Sequence, residues 1–437
     1  MFESLQSFRN IFRIEELKRR VLITLGLLAA YRLGAHVPTP GIDGHALSQF
    51  FDQVQGTLLG MVDLFSGGNL RRLTVFALGI MPYISASIIL QLLTVVIPAL
   101  ERLAKEGEAG KKKITQYTRY GTIVLSLIQA FGIAVGLESM RAPGGGTIVP
   151  DPGWGFRLIT MITLTTGTAL IMWLGEQISE KGIGNGISLI IFAGIVVRLP
   201  SAIVSSYQLI STGELRLPVF IGLILMMLLV TAAVIVMQEG QRKIPVQYAK
   251  RVVGRRVYGG QSTHIPLRIN TAGVIPVIFA SSLILFPATL TRFINHPWMQ
   301  VITEALSPGH LTYTVMYCGL IIFFAYFYTA IVFNPVDLAD NMKKYGGFIP
   351  GVRPGKKTAE YIDRTLTRIT LPGAIFLALI SVLPDFLIRW FNTPFYFGGT
   401  SLLIVVGVAL DTVRQMESHL LMRNYEGFLR KKQRVRA

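Results

Sequence analysis

Two arginines, Arg255 and Arg256, stand side by side in the middle of a polar stretch, with Lys250 and Arg251 just before them. A second basic group, Arg353, Lys356 and Lys357, sits in the Gly- and Pro-rich run YGGFIPGVRPGKKT at 345–358. Paired guanidinium groups suit phosphate or carboxylate partners, so the chemistry on offer is the binding of anionic surfaces. Reactive chemistry is absent from the sequence. His36, His45, His264, His296, His310 and His419 are scattered without metal-ligand spacing. Cys318 is the single cysteine, which excludes a disulfide framework and a Cys-based zinc or iron–sulfur site. GEAGKK at 107–112 lacks the glycine spacing and the Ser/Thr of a nucleotide-binding loop, and no nucleophile–base pair stands out. The expectation is a protein that is not an enzyme and that carries no cofactor and no metal.

The elements that must position the basic groups follow from composition. Of 437 residues, 51% are hydrophobic and only 15% charged, and the mean hydropathy is +0.52. Such apolar content excludes disorder and exceeds what one soluble core can use. An integral membrane protein remains. A bilayer-crossing helix takes about 20 mostly apolar residues. Ten such stretches occur, at roughly 20–36, 75–97, 118–138, 155–174, 184–204, 217–238, 271–291, 312–333, 368–388 and 398–413. No h-region with a cleavage site follows the N-terminus, so no cleaved signal peptide is expected.

The net charge is +18, from 42 Lys and Arg against 24 Asp and Glu. Of the 42, 33 fall in the N-terminus, the even-numbered loops and the C-terminal tail. The positive-inside rule then puts both termini in the cytoplasm, which agrees with an even number of spans. The spans themselves are nearly free of charge: Arg32, Arg157, Glu176 and Asp411 lie near their ends, where snorkelling would serve. Proton- or sodium-coupled carriers generally hold ionisable groups at the membrane midplane. That belt is empty here, which counts against the alternative of an ion-coupled secondary transporter with inverted repeats.

Ten spans divide into five and five near residues 205–216, so the expected domains are 1–210 and 211–437. An odd number per half inverts the second half relative to the first, a pattern common in transporters and channels. Two loops exceed simple connections. In 239–268 the alternation of Ile244, Val246 and Tyr248, then Val252, Val253, Val257 and Tyr258 beyond, predicts a protruding β-hairpin. In 334–368 a Gly/Pro-rich turn with Arg353 near its apex precedes a polar helical stretch. The connection 56–74, GTLLGMVDLFSGGNLRRLT, is too short to span and too apolar for a surface loop, so it must bury itself in protein or a cavity.

GIMPYISASIILQLL (79–93), GEQISEKGIGNGISLIIFAGIV (175–196), NTAGVIPVIFASS (270–282), YGGFIPGVRPGKKT (345–358) and GGTSLLIVVGVALDT (398–412) together resemble the SecY family of protein-conducting channel subunits. The resemblance covers essentially the whole chain. It implies an all-α integral membrane fold, with ten transmembrane helices in two pseudo-symmetric inverted halves that clamp a central hourglass pore. It implies passage of unfolded secretory polypeptide across the plasma membrane and lateral release of membrane proteins into lipid. The partners implied are SecE, SecG, SecA, the translating ribosome with its RNA phosphates, signal sequences and unfolded polypeptide, and membrane lipid.

The resemblance also assigns residues. A pore ring corresponds to Ile80, Ile84, Ile187, Ile191, Ile278 and Ile404. Ile80/Ile84 and Ile187/Ile191 are spaced i, i+4 and so share a helix face, and a narrow apolar collar gates by dewetting. On periodicity alone the same isoleucines read as ordinary lipid- or helix-facing residues, and Val405 and Val408 neighbour Ile404 as alternatives. A plug corresponds to Met61, Val62, Asp63, Leu64, Phe65, Ser66, Gly67, Gly68, Asn69 and Leu70, within about 61–72; Ser66 to Asn69 are expected to loosen it. The bland alternative there is a re-entrant or interfacial helix with no gating role. A lateral gate corresponds to Ser87, Gln129 and Ser282, although a lone Ser or Gln in a span often bonds its own helix. Binding of SecA or the ribosome falls to Lys250, Arg251, Arg255, Arg256, Arg353, Lys356 and Lys357.

Overall fold

Apolar runs of this length must satisfy every backbone group internally, so they fold as helices. In the computed structural model each of the ten apolar stretches carries one. The structure describes residues 14–53, 63, 66–140, 147–213, 217–248, 251–253, 256–258, 262–290, 305, 310–391 and 399–434. The helices are α1 (Glu15–Gly34), α2 (Gly44–Gln53), α3 (Met81–Val96), α4 (Pro98–Lys105), α5 (Glu108–Ser139), α6 (Trp154–Lys181), α7 (Gly186–Val196), α8 (Leu199–Ser211) and α9 (Leu217–Glu239). After the strands come α10 (Ile275–Leu290), α11 (Leu311–Val332), α12 (Pro335–Lys344), α13 (Lys356–Phe391) and α14 (Gly399–Arg434). Among the described residues six helices are long and apolar enough to cross a membrane, or seven if α3 and α4 count as one span. The protein is a multi-pass membrane protein.

Helix boundaries follow from local chemistry. Ile97 precedes Pro98 and is extended (φ −97°, ψ 112°), as a residue before proline must be. The chain therefore turns by 100° between α3 and α4. Asn185 starts α7 by accepting from the amides of Ile187 (3.1 Å) and Ser188 (3.3 Å). Asn334 does the same for α12 through Val336 N–H (3.0 Å), with Pro335 at the position where a missing donor costs nothing.

The chain divides into two compact units. One comprises Met1–Ser205, Ser282–Tyr313 and Val408–Ala437; the other comprises Ser206–Ser281 and Thr314–Gly407. In the first, α5 packs on α3 and α6, and α1 packs on α6. An apolar cluster there joins Leu47 and Phe51 of α2 with Leu70, Leu73, Ala77, Leu78, Ala134 and Phe156.

In the second unit the 239–268 loop does form an antiparallel hairpin. β1 (Gln241–Tyr248) pairs with β4 (Ser262–Arg268) in the register Ile244↔Ile265 and Val246↔Thr263. A smaller pair, β2 (Arg251–Val253) and β3 (Arg256–Tyr258), lies between them in sequence. The other edge of β1 is taken by β5 (Gly347–Phe348), through Gln247↔Phe348 and Tyr248↔Gly347. The two long loops thus share one sheet. They share one core as well: Ile244, Val246 and Leu267 pack with Met342, Ile349, Ile362, Leu366 and Ile369. The polar helical stretch expected after Arg353 is the beginning of α13, which continues into the ninth span as one 36-residue helix.

Candidate functional site

The 56–74 connection was expected to bury itself, and most of its described residues do, with Arg72 exposed. Asp63, Ser66, Asn69 and Leu70 are all less than 5% exposed; Met61, Val62, Leu64 and Phe65 lie outside the described residues. Asp63 organises the segment. Its carbonyl accepts from Gly68 N–H (2.9 Å) and Ser66 Oγ (3.0 Å), and its Oδ1 accepts from Arg71 N–H (2.8 Å). Arg198, just beyond α7, donates through Nη2 to the Asp63 carbonyl (3.2 Å) and to Asp63 Oδ2. Ser66 Oγ accepts in turn from Leu70 N–H (3.3 Å).

Tyr31 of α1 reaches the same segment. Its hydroxyl donates to the Ser66 carbonyl (3.4 Å) and accepts from Asn69 Nδ2 (3.2 Å), while its ring stacks on Phe76 at 5.6 Å. Gly67 and Gly68 have φ of +74° and +85°, where side chains are strained. A Cβ on Gly67 would also lie 2.8 Å from Gly194 Cα in α7. Ser66, Gly67 and Asn69 therefore seat the segment rather than loosen it. Ser66 and Asn69 have hydrogen-bond partners, as most buried polar groups do, and Gly67 has a close backbone neighbour.

Four of the six ring candidates lie in the first unit. Ile80 caps α3, and Ile84 follows one turn later with its amide on the Ile80 carbonyl (3.1 Å); both are buried. Asn185's cap sets Ile187 and Ile191 in the first turns of α7; Ile191 is buried and Ile187 half-buried. The glycine at 175 leaves room for Ile187, whose Cγ1 would be 3.2 Å from a Cβ there. Ile278 and Ile404 lie in the second unit, both buried. Of the gate candidates, Ser282 Oγ is 3.9 Å from Met81 Sδ, joining α10 to α3 within the first unit. Ser87 Oγ accepts from Gln91 Nε2 in its own helix (3.1 Å), and Gln129 is buried on α5.

The basic candidates are exposed where they are described. Arg353, Lys356 and Lys357 are exposed around the turn before α13, with Lys357 Nζ donating to Glu360 (2.9 Å). Thr358 Oγ1 donates to the Arg353 carbonyl (3.0 Å) and fixes that turn. In the β2–β3 hairpin Arg251 pairs with Tyr258 and Arg256 with Val253; Lys250 and Arg255 lie outside the described residues.

Several polar residues were not singled out from sequence. Three of the four charges expected to snorkel are paired instead, Asp411 with Arg414 at 3.5 Å. Arg157 makes a bidentate pair with Glu138 (2.6 Å at its shortest), which also accepts from Gly153 N–H (3.0 Å). Glu176 pairs with Arg119 (2.8 Å). Pairing wins because a buried or half-buried charge left alone costs more than two brought together. Around 182–186, Thr24 Oγ1 accepts from Ile183 N–H (2.9 Å), Ser179 Oγ from Gly186 N–H (2.9 Å), and Gln415 Oε1 from Gly184 N–H. Three helices therefore tie down the turn that leads into Ile187 and Ile191. The available signal for Arg198 was a lone cation beside an apolar run, 135 residues from its partner; for Thr24 and Gln415 there was none.

The SecY family model matches residues 74–413. The protein translocase subunit SecY of Escherichia coli (strain K12) is 51% identical over 420 residues, covering 95% of this chain and 94% of that protein. The backbone is similar to that of a solved protein conducting channel, with TM-score 0.63 and 18% identity over 92% of each chain. It is also similar to Sec61 in the canine ribosome–channel complex from the endoplasmic reticulum, with TM-score 0.60 and 17% identity over 92% of each chain.

Proposed function

The chain belongs to the SecY family, and on that premise we propose that it is the pore-forming subunit of a protein translocase. It conducts unfolded secretory polypeptide across the plasma membrane and releases membrane segments laterally into lipid. It is a channel subunit rather than an enzyme, so the driving force comes from partners, SecA or a translating ribosome, with SecE and SecG as companion subunits. Both termini face the cytoplasm in this reading. The observation that carries it is the near-full-length likeness to translocase subunits.

Physical features of the chain support the assigned roles. Ile80, Ile84, Ile191, Ile278 and Ile404 are buried rather than lipid-exposed, which suits an apolar collar. A collar without polar groups offers water and ions nothing to bond to, and offers a sliding peptide nothing to stick to. The half-buried Ile187 completes the i, i+4 pair with Ile191. The segment about 61–72 serves as the plug, seated by a small set of polar bonds. Ser87, Gln129 and Ser282 mark the lateral gate. The Ser282–Met81 contact supports this, since sulfur is a weak acceptor and a seam that must open is held weakly. Lys250, Arg251, Arg255, Arg256, Arg353, Lys356 and Lys357 bind anionic surfaces of the ribosome or SecA; Arg251 and Arg256 stand on the β2–β3 hairpin, Arg353 on the turn before α13, and Lys356 and Lys357 in the first turn of α13.

The test is reconstitution with SecE and SecG in liposomes, followed by SecA, ATP and a secretory precursor. Precursor protected from external protease is expected. An intact, inserted complex that protects none, while it accumulates a solute against its gradient, would favour the ion-coupled carrier.

A further inference from the structure

Asp63 and Arg198 belong to segments 135 residues apart and meet as one pair. The Asp63 side chain is 6% exposed and that of Arg198 33%. Asp63's other bonds stay inside its own segment, to Ser66, Gly68 and Arg71. Arg198 thus supplies a charged contact that ties this segment to the rest of the unit. The hydrogen bonds from Tyr31 to Ser66 at 3.4 Å and from Asn69 to Tyr31 at 3.2 Å are neutral and long, and such bonds are individually weak.

Arg198 is also well placed to sense channel opening. It stands two residues past the end of α7, in the break before α8, its amide bonded to the Ile195 carbonyl (3.1 Å). The same short helix carries Ile187 and Ile191 in its first turns, and Gly194 on its flank is where Gly67 seats. A displacement of α7 therefore moves the ring candidates, the glycine seat and the cation together.

We propose that the Asp63–Arg198 pair is a specificity-determining latch: it holds the 61–72 segment closed and sets how strongly a signal sequence must engage before the channel opens. The inference rests on the reading of that segment as the plug. Its physics is an asymmetry. When the segment leaves as a unit, both charges gain water. When Arg198 alone is removed, the carboxylate stays buried without its counter-ion, and closure itself becomes unfavourable.

The experiment measures resting ion conductance in planar bilayers, and SecA-driven transport of a precursor whose signal has a shortened apolar core. Arg198→Met is expected to shift the closed-to-open ratio by about a hundredfold, raising resting conductance at least about tenfold and admitting the weak signal. Asp63→Asn keeps an acceptor for Arg71 N–H and leaves a cation that is partly solvated, so it leaks less than Arg198→Met and more than the parent. The double variant Asp63→Asn/Arg198→Met is expected to close better than Arg198→Met alone, because no unpaired carboxylate remains. Arg198→Lys falls between parent and Arg198→Met.

Deletion of 62–70 separates the two readings. If the deletion leaks and admits the weak signal but Arg198→Met behaves as the parent, the latch is wrong and the plug stands. If both are silent, the plug reading fails and takes the latch with it. A double variant as leaky as Arg198→Met also overturns the latch, since Arg198 then acts through something other than Asp63. Should Arg198→Met fail to accumulate in the membrane, parent-like conductance of Asp63→Asn is the overturning result.

Discussion

The described residues of 63–69 and the sheet formed by β1, β4 and β5 are both departures from the helical pattern, and both bury themselves. They are held by opposite forces. The first is seated by hydrogen bonds, one ion pair and a glycine contact, with Asp63, Ser66 and Asn69 as its buried side chains. The second is held by eight buried apolar side chains drawn from two loops and two helices. Polar bonds can be exchanged for bonds to water at little net cost, whereas separating apolar surfaces exposes area at about 25 cal/mol per Å². A segment held the first way can leave and return; a platform held the second way keeps its shape while it is pulled on. That contrast matches a stopper that moves and a docking surface that does not.

The contrast can be broken at either end. The largest effect is expected in the platform. Ile362 is fully buried between β1, β4 and α12, and Ile362→Ala should destabilise that module by about 2–5 kcal/mol. Faster hydrogen exchange at β1 and β4 amides would report it, with resting conductance unchanged. A leaky Ile362→Ala variant would mean that the two regions are not independent.

A smaller effect is expected at the movable segment. Tyr31→Phe removes the hydroxyl that bridges Ser66 and Asn69 while keeping the stack on Phe76. A loss of about 1 kcal/mol should raise resting conductance roughly fivefold, without change in the module's exchange. An unaltered conductance would show that α1 does not hold the segment. The smallest effect on stability is expected from Lys357→Ala, which breaks an exposed pair with Glu360. Such pairs contribute little, so the melting temperature should not move, while SecA-driven transport falls. A lowered melting temperature with normal transport would reassign Lys357 from docking to structure.

Much of this was open to a reader of the sequence. The hairpin followed from the alternation at Ile244 and Val246, both of which point into the core, although Tyr248 continues the alternation and is exposed. The ten apolar runs each carry a helix, because run length is a local property. Among the described residues the helices of the first, seventh and tenth are too short or too polar to cross a membrane unaided, and that of the second is long enough only together with α4. The expectation that Ser66 to Asn69 loosen the segment failed for a definite reason. Small polar residues are flexible only when their bonding groups face water, and here most find partners in the protein.

Length, hydropathy and charge distribution by themselves determined a multi-pass helical membrane protein, the whereabouts of its irregular connections and the family it resembles. Each of those depends on neighbours within a helix turn, a strand or a span's length. Only the tertiary structure decided that β5 would complete the sheet begun by β1, that Glu138 would meet Arg157, and that Asp63 would meet Arg198. Such pairings are made between residues far apart in the chain, and a lone charge or a two-residue strand carries no local mark of the partner it will find.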